Sequence, residues 1–276
     1  MNQAILYSKY NALQKTDVNF VLENYLRLIN WRENDAILDV GCGSGDVTTK
    51  LLLPRIPCAF KKLVGVDLSE EMVRFAASQN THPNVSFCQM NIERKDIPET
   101  LEESFQHIFS FYALHWIQEQ RQAFDNLYKM LKPGGDMLLT FLASNPIFHI
   151  YENLASNTKW MDYMKNAQKF INPYQHCEQP ERVLERLMQE VGFSIHLCTV
   201  IERKYVYSDL DVFRKSVIAV NPFLGNIPEN MHNDYLMDFI SEVRNLNFLE
   251  CNDNNNEERV RVPYKLLVVV ASKQSR

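Results

Sequence analysis

Asp39-Val40-Gly41-Cys42-Gly43-Ser44-Gly45 follows directly on a short apolar run, Ala36 to Val40, and runs into Asp46 to Leu53, which reads as a helix ended by Pro54. Three of the chain's 8 glycines fall inside these seven residues. A turn so stripped of Cβ atoms lets an extended ligand pass close to the backbone and tolerates unusual φ/ψ. A dinucleotide fingerprint would need glycine at position 46, but Asp46 stands there, leaving G-x-G-x-G. That departure disfavours NAD and FAD. An acid at a helix N-terminus repels the phosphate that the helix dipole otherwise attracts, so a cationic or neutral ligand is expected.

Outward from the loop, buried-strand runs alternate with amphipathic stretches. Strands are predicted at 36–40, 62–66, 85–90, 107–111, 137–141, 194–207 and 264–271. Helices are predicted at 46–53, 69–79 with Ser69 as N-cap, 118–131, 181–191 stopped by Gly192, 209–219 and 231–247. Regular β-α alternation implies an α/β fold with a doubly wound, mostly parallel, seven-stranded sheet. Lys132-Pro133-Gly134-Gly135 is a turn, and Asn252 to Glu258 reads as a solvated loop. The expectation is a single domain over 1–276 with helical lid elements at 1–16, 145–180 and 208–250.

The formal net charge is -5, the pI is about 5.8, and no run of five like charges occurs. Nucleic-acid binding needs a basic face, so a small-molecule partner is expected. The N-terminus lacks a basic region followed by an apolar core, and no stretch is long enough to span a bilayer. A cytoplasmic protein with no membrane partner follows. The 6 cysteines form no C-x-x-C pair, which argues against zinc or a disulfide framework and for reduced, buried thiols. No metal is expected.

Asp67 closes the second strand where an acid able to accept two ribose hydroxyls is anticipated, although a helix cap is the bland alternative. Met90-Asn91-Ile92 ends the third strand and can wall an adenine. After the fourth strand, His115 can serve as base, donor or packed ring, with the base role disfavoured. Trp116 offers an indole N–H on an apolar face or a plain core aromatic. The inserted stretches are rich in Phe, Tyr, Leu, Ile and Met. They read as ordinary core or, more sharply, as the wall of a long apolar pocket.

This set resembles the class I methyltransferases that use S-adenosylmethionine (SAM): DVGCGSG, VGVDLS, QMNI and LKPGG occur in order. The resemblance implies SAM as cofactor and a Rossmann-like fold. It places Asp39 and Gly41 at the methionine part, Asp67 at the ribose, and Asn91 with Ile92 at the adenine; Gly43, Gly45 and Leu68 complete the expected cofactor-binding set. Asn91 stands where many relatives carry Asp. The rest of the chain is similar to the insect juvenile hormone acid O-methyltransferases. Asn2, Leu6-Tyr7, Asn11, Gln14 to Asp17, FSFYALHWIQ at 109–118, FLASNPIF at 141–148, Lys159-Trp160, FINPY at 170–174, NPFL at 221–224 and the closing PYKL carry that likeness.

The likeness implies methyl esterification of farnesoic acid or juvenile hormone acid, an apolar sesquiterpenoid carboxylic acid, with Gln14 and Trp116 holding the carboxylate. Such an acid is ionised at neutral pH and needs no general base. Two other readings stand beside this one. One is a methyltransferase for another small apolar acceptor, a quinone or a short organic acid; the other is an inactive SAM-binding protein acting through partners. Homodimerisation is left open.

Overall fold

A computed structural model describes residues 3–251 and 258–275. Asn2 and residues 252–257 of the expected polar loop lie outside that range; Glu258 opens a strand. Eight strands are described: β1 (Asp35–Val40), β2 (Phe60–Asp67), β3 (Val85–Gln89), β4 (Phe105–Phe111), β5 (Leu131–Ser144), β6 (Phe193–Tyr207), β7 (Leu249–Cys251) and β8 (Glu258–Lys273). Their order is β3-β2-β1-β4-β5-β8-β6, with β7 paired to β8. The first five strands pair in parallel, whereas β8 runs antiparallel to both β5 and β6. Seven strands stand where the sequence places them. The short β7 is an addition that straddles the end of the helical insertion read at 208–250.

The central parallel strands β1 and β4 are mostly buried because both faces are covered, whereas the edge strand β3 is largely exposed. Every residue of β1 is buried, with Ile37 turned into one core and Leu38 into the other. The first core lies under α2 (Ala12–Tyr25), α5 (Pro146–Ser156), α7 (Leu210–Val220) and α8 (His232–Asn245). The second lies under α4 (Gln120–Met130) and α6 (Pro180–Val191). The remaining helices, α1 (Ala4–Tyr10) and α3 (Glu70–Gln79), flank the C-terminal end of the sheet and touch each other.

Local chemistry sets the helix ends. Ser69 accepts the Met72 N–H, Asn145 the Ile147 N–H and Asp209 the Val212 N–H, while Gly192 closes α6 in the left-handed region. The helix after the glycine loop widens to a π-type turn at Thr48–Leu52. It tightens again at Leu53–Arg55, so Pro54 sits inside the closing turn rather than after it.

At the N-terminal ends of the strands, opposite the glycine loop, a buried clasp joins three strands. His107 of β4 meets Asp136 of β5 at 2.6 Å through Nδ1 and Asp35 of β1 at 2.7 Å through Nε2. Burial alone would lower the His107 pKa, but Asp136 and then Asp35 carry it above the ordinary value. Two carboxylates around one imidazole favour the imidazolium.

Candidate active site

The strand order reverses at β1, which lies between β2 and β4. In open α/β sheets that switch point is where ligands bind, at the carboxyl ends of the strands. The glycine loop leaves β1 there, opposite Tyr112 and Ala113 at the end of β4. Gly41 has φ +75°, and a Cβ on it would lie 2.0 Å from the Ala113 Cβ. Gly45 has φ +74°, and its Cβ would lie 2.7 Å from the Ala76 Cβ of α3. Close packing of the protein on itself therefore demands these two glycines.

Gly41 and Gly43 line a cavity together with Asp67, Leu68, Met90, Asn91 and Ile92. Gly45 and Asp39 do not belong to its wall. Asp39 is buried beneath the loop, where its carboxylate accepts the Thr48 hydroxyl at 2.6 Å and burial pushes its pKa up to about 7. Both residues shape the loop from behind.

Asp67 serves as the cap that its position allows and also borders the cavity. One carboxylate oxygen accepts the Gly43 N–H at 2.9 Å and the other the Ser69 N–H at 2.8 Å, so the acid braces the loop and the start of α3 while its side chain borders the cavity. Asp46 is turned inward. It accepts Asn11 Nδ2 at 3.1 Å and pairs with Lys15 Nζ at 2.5 Å, which ties α2 onto the glycine loop. The charged side chains lining the cavity are Asp67, Glu70 and Glu93, with no lysine or arginine among the described residues. Carboxylates around a wall of Met72, Met90 and Ile92 fit a ligand with an apolar base and a cationic centre. SAM has that form, and a phosphate-bearing cofactor does not.

A second cavity meets the first at Tyr7, Tyr112, Trp116 and Val220, which line both. Its wall draws on α2, α5, α7 and α8 and holds no charged side chain among the described residues. Most of it is hydrocarbon, including Leu142, Ile147, Phe148, Phe213, Phe239 and Val262. Gln14 and His115 border this cavity alone. Neither the Gln14 carboxamide nor the Trp116 indole N–H bonds to another described residue. The Trp116 ring is held edge-on to Phe148 at 5.5 Å.

His115 is buried, and burial lowers its pKa to about 3. Its Nδ1 accepts the Leu142 N–H at 3.4 Å, so the ring proton sits on Nε2. The imidazole is neutral near pH 7 and too weak a base to take a proton efficiently there. The cysteines are less buried than their sequence pattern suggests: Cys42 is buried and Cys88 exposed, with Cys58, Cys177 and Cys198 between. Burial raises the Cys42 thiol well above its ordinary pKa, so it stays protonated. No group of three His, Cys, Asp or Glu among the described residues could hold a metal, and none of their helices is long and apolar enough to cross a membrane.

Residues 37–135 match a methyltransferase-domain family. The juvenile hormone acid O-methyltransferase of Bombyx mori is 41% identical to this chain over 99% of it and 98% of the relative. The chain belongs to the juvenile hormone acid O-methyltransferase family. The Drosophila melanogaster member is 37% identical, covering 99% of this chain and 93% of its own length. Among solved structures, the YcgJ protein of Bacillus subtilis superposes with a TM-score of 0.58 at 17% identity, covering 93% of this chain and 99% of that one. Haemonchus contortus phosphoethanolamine N-methyltransferase 2, in complex with S-adenosyl-L-methionine, gives 0.51 at 17% identity over 93% of this chain and 53% of that one. These two establish the fold. As a member of the family the chain is a SAM-dependent carboxyl O-methyltransferase with a Rossmann-like domain.

The functional reading of the sequence overlooked Tyr7 and Tyr112, the two tyrosines shared by both cavities, and the Asn11 and Lys15 contacts that seat α2. Tyr7 and Tyr112 stand inside stretches that carry the family likeness. Asn11 and Lys15 also stand inside such stretches, but their contact with Asp46, 35 and 31 positions away, is not marked in the sequence.

Proposed function

We propose that the protein transfers the SAM methyl group to the carboxylate of an apolar sesquiterpenoid acid, farnesoic acid or juvenile hormone acid. The observation that carries this reading is the pair of N–H donors, Gln14 Nε2 and Trp116 Nε1, which have no partner among the described residues and line an apolar cavity with no charged side chain among them. Bound SAM supplies an electrophilic methyl on a positively charged sulfur. The carboxylate acceptor is already ionised at neutral pH, so the transfer would ask no proton movement of the chain. The work of the chain is therefore positioning and solvation. Gln14 and Trp116 replace the water that a carboxylate loses on entering hydrocarbon, and the neutral His115 Nε2–H can add a third donor.

On the cofactor side, Gly41, Gly43, Asp67, Leu68, Asn91 and Ile92 would hold SAM, with Asp67 toward the ribose hydroxyls. Asn91 Oδ1 already accepts the Glu93 N–H at 2.9 Å, which leaves its NH2 group to face the adenine. The cover over the acid comprises the segments 1–16, 145–180 and 208–250. Its support is that Tyr7, Gln14, Phe148, Phe213 and Phe239 from these segments all line the second cavity. Incubation with methyl-labelled SAM and a panel of isoprenoid acids, short organic acids, phenols and quinones tests the assignment. Label should enter methyl esters of the isoprenoid acids. Label confined to phenols, quinones or short acids would overturn it.

A further inference from the structure

Asp17 lies three residues after Gln14 on α2, on the same helix face, and is completely buried. Its carboxylate collects donors from three strands. The Tyr112 hydroxyl at the end of β4 bonds to one oxygen, which also accepts the Tyr264 hydroxyl of β8 at 2.7 Å. The other oxygen pairs with Arg203 of β6, at 3.0 Å from Nε and 2.9 Å from a terminal nitrogen. The guanidinium in turn rests on the Phe20 ring of α2 at 4.4 Å. No residue of this cluster other than Tyr112 borders either cavity, and Tyr112 borders both.

We infer that Asp17 is a positioning residue for methyl transfer: it fixes Gln14, the donor on the acid side, at a set distance from Tyr112, the wall shared with the cofactor side. The inference rests on the proposed function, since it takes Gln14 as the residue that holds the acceptor carboxylate. The physical link is short. One turn of α2 separates the two side chains, so the height of Gln14 above the sheet is the height at which Asp17 is anchored. Tyr112 has a left-handed backbone, φ 61°, which a tyrosine adopts only when its surroundings hold it there. Its ring is trapped between the Asp17 carboxylate and His115, the latter 5.8 Å away edge to face. A single carboxylate thus gauges the gap across which donor and acceptor meet. Rates of displacement fall steeply with small errors in that gap, by roughly a hundredfold for 1 Å.

A merely structural ion pair would lower thermal stability and spare turnover per folded molecule. The positioning role predicts a different pattern, read by a double-mutant cycle of Asp17→Asn and Gln14→Met with farnesoic acid as acceptor. Asp17→Asn keeps the side-chain volume and one acceptor oxygen. In the wild-type background it should lower kcat by roughly tenfold or more, with the SAM dissociation constant from calorimetry within about threefold, since Asp17 does not line the cofactor cavity. In the Gln14→Met background the same change should cost little further, because the group it positions is gone. Equal proportional losses in both backgrounds, or an unchanged kcat in the folded single variant, would overturn the inference. Should Asp17→Asn fail to fold, Tyr112→Phe takes its place in the cycle. It removes one donor to Asp17 and keeps the ring, and the same non-additivity is expected. A wild-type protein that does not methylate the acid brings down the proposed function and this inference together. An active wild type with an additive cycle removes this inference alone.

Discussion

Replacing Gln14 by methionine isolates one hydrogen bond. Methionine matches glutamine in length and helix propensity, so α2 keeps its shape. The carboxamide bonds to no other described residue, so its loss leaves no protein group unsatisfied. Stability should therefore change by no more than about 0.5 kcal/mol. The position borders the acid cavity and not the cofactor cavity, so SAM affinity should be unchanged within error. What is lost is one N–H donated to a carboxylate stripped of water. Such bonds contribute about 1.5 to 3 kcal/mol, a fall of roughly tenfold to a hundredfold in kcat/KM. Trp116→Phe should lose a comparable amount. The double variant should lose less than the product of the two, because both donors serve one carboxylate. The assay is initial-rate ester formation from farnesoic acid, with calorimetry for SAM and a thermal melt for the fold. Wild-type kcat/KM in both single variants would refute the reasoning. Losses that track SAM affinity would refute it as well, by moving Gln14 to the cofactor side.

Asp67→Ala should weaken SAM binding by tenfold or more and also lower the Tm, because the Gly43 and Ser69 N–H groups lose their acceptor; calorimetry with unchanged affinity would take Asp67 out of the site. The His107 clasp makes a pH prediction. Its folded pKa is raised, so its stabilisation is complete below the unfolded value of about 6.5 and is lost as pH rises through the folded value. Melts from mildly acidic to alkaline pH should show a decline that the His107→Gln variant lacks, and parallel curves would count against it. Gly41→Ala should destabilise by about 2 to 5 kcal/mol, from left-handed strain plus the clash with Ala113, whereas Gly225→Ala, with no atom within 4 Å of its added Cβ, should be near neutral in the same denaturant titration.

Much of the parallel half of the sheet is legible in the sequence because strands buried on both faces read as unbroken apolar runs. Ile37 and Leu38 must both be apolar, whichever core each enters. Strand direction carries no such mark, and the antiparallel setting of β8 between β5 and β6 appears only in the pairing. The helix α2 is hidden for a different reason. Its buried positions include Asp17 beside Leu13, Val18, Val21 and Leu22, so apolar periodicity is interrupted where an ion pair is buried. The glycine loop announces a cofactor, yet the division of labour within it does not follow from the motif. Gly45 and Asp39 turn away from the cavity because Ala76 and Thr48, distant or unremarkable in sequence, stand behind them. Gln14 and Trp116 are 102 positions apart, and only the meeting of α2 with the end of β4 puts both on one wall.

That no lysine or arginine among the described residues lines the proposed acid cavity would also govern what leaves it. An acid enters carrying one negative charge, and its ester carries none. The N–H bonds that hold a carboxylate at about 1.5 to 3 kcal/mol each hold an ester carbonyl at only about 0.5 to 1.5. On the proposed reading, esterification would loosen the grip of Gln14 and Trp116 as the product forms. A cation in their place would bind the acid more tightly, but after reaction it would be stranded unpaired in hydrocarbon, at a cost of several kcal/mol. With neutral donors holding the acid as proposed, the cavity would act as a one-way filter on charge, with the ester a weak competitor of the next acid.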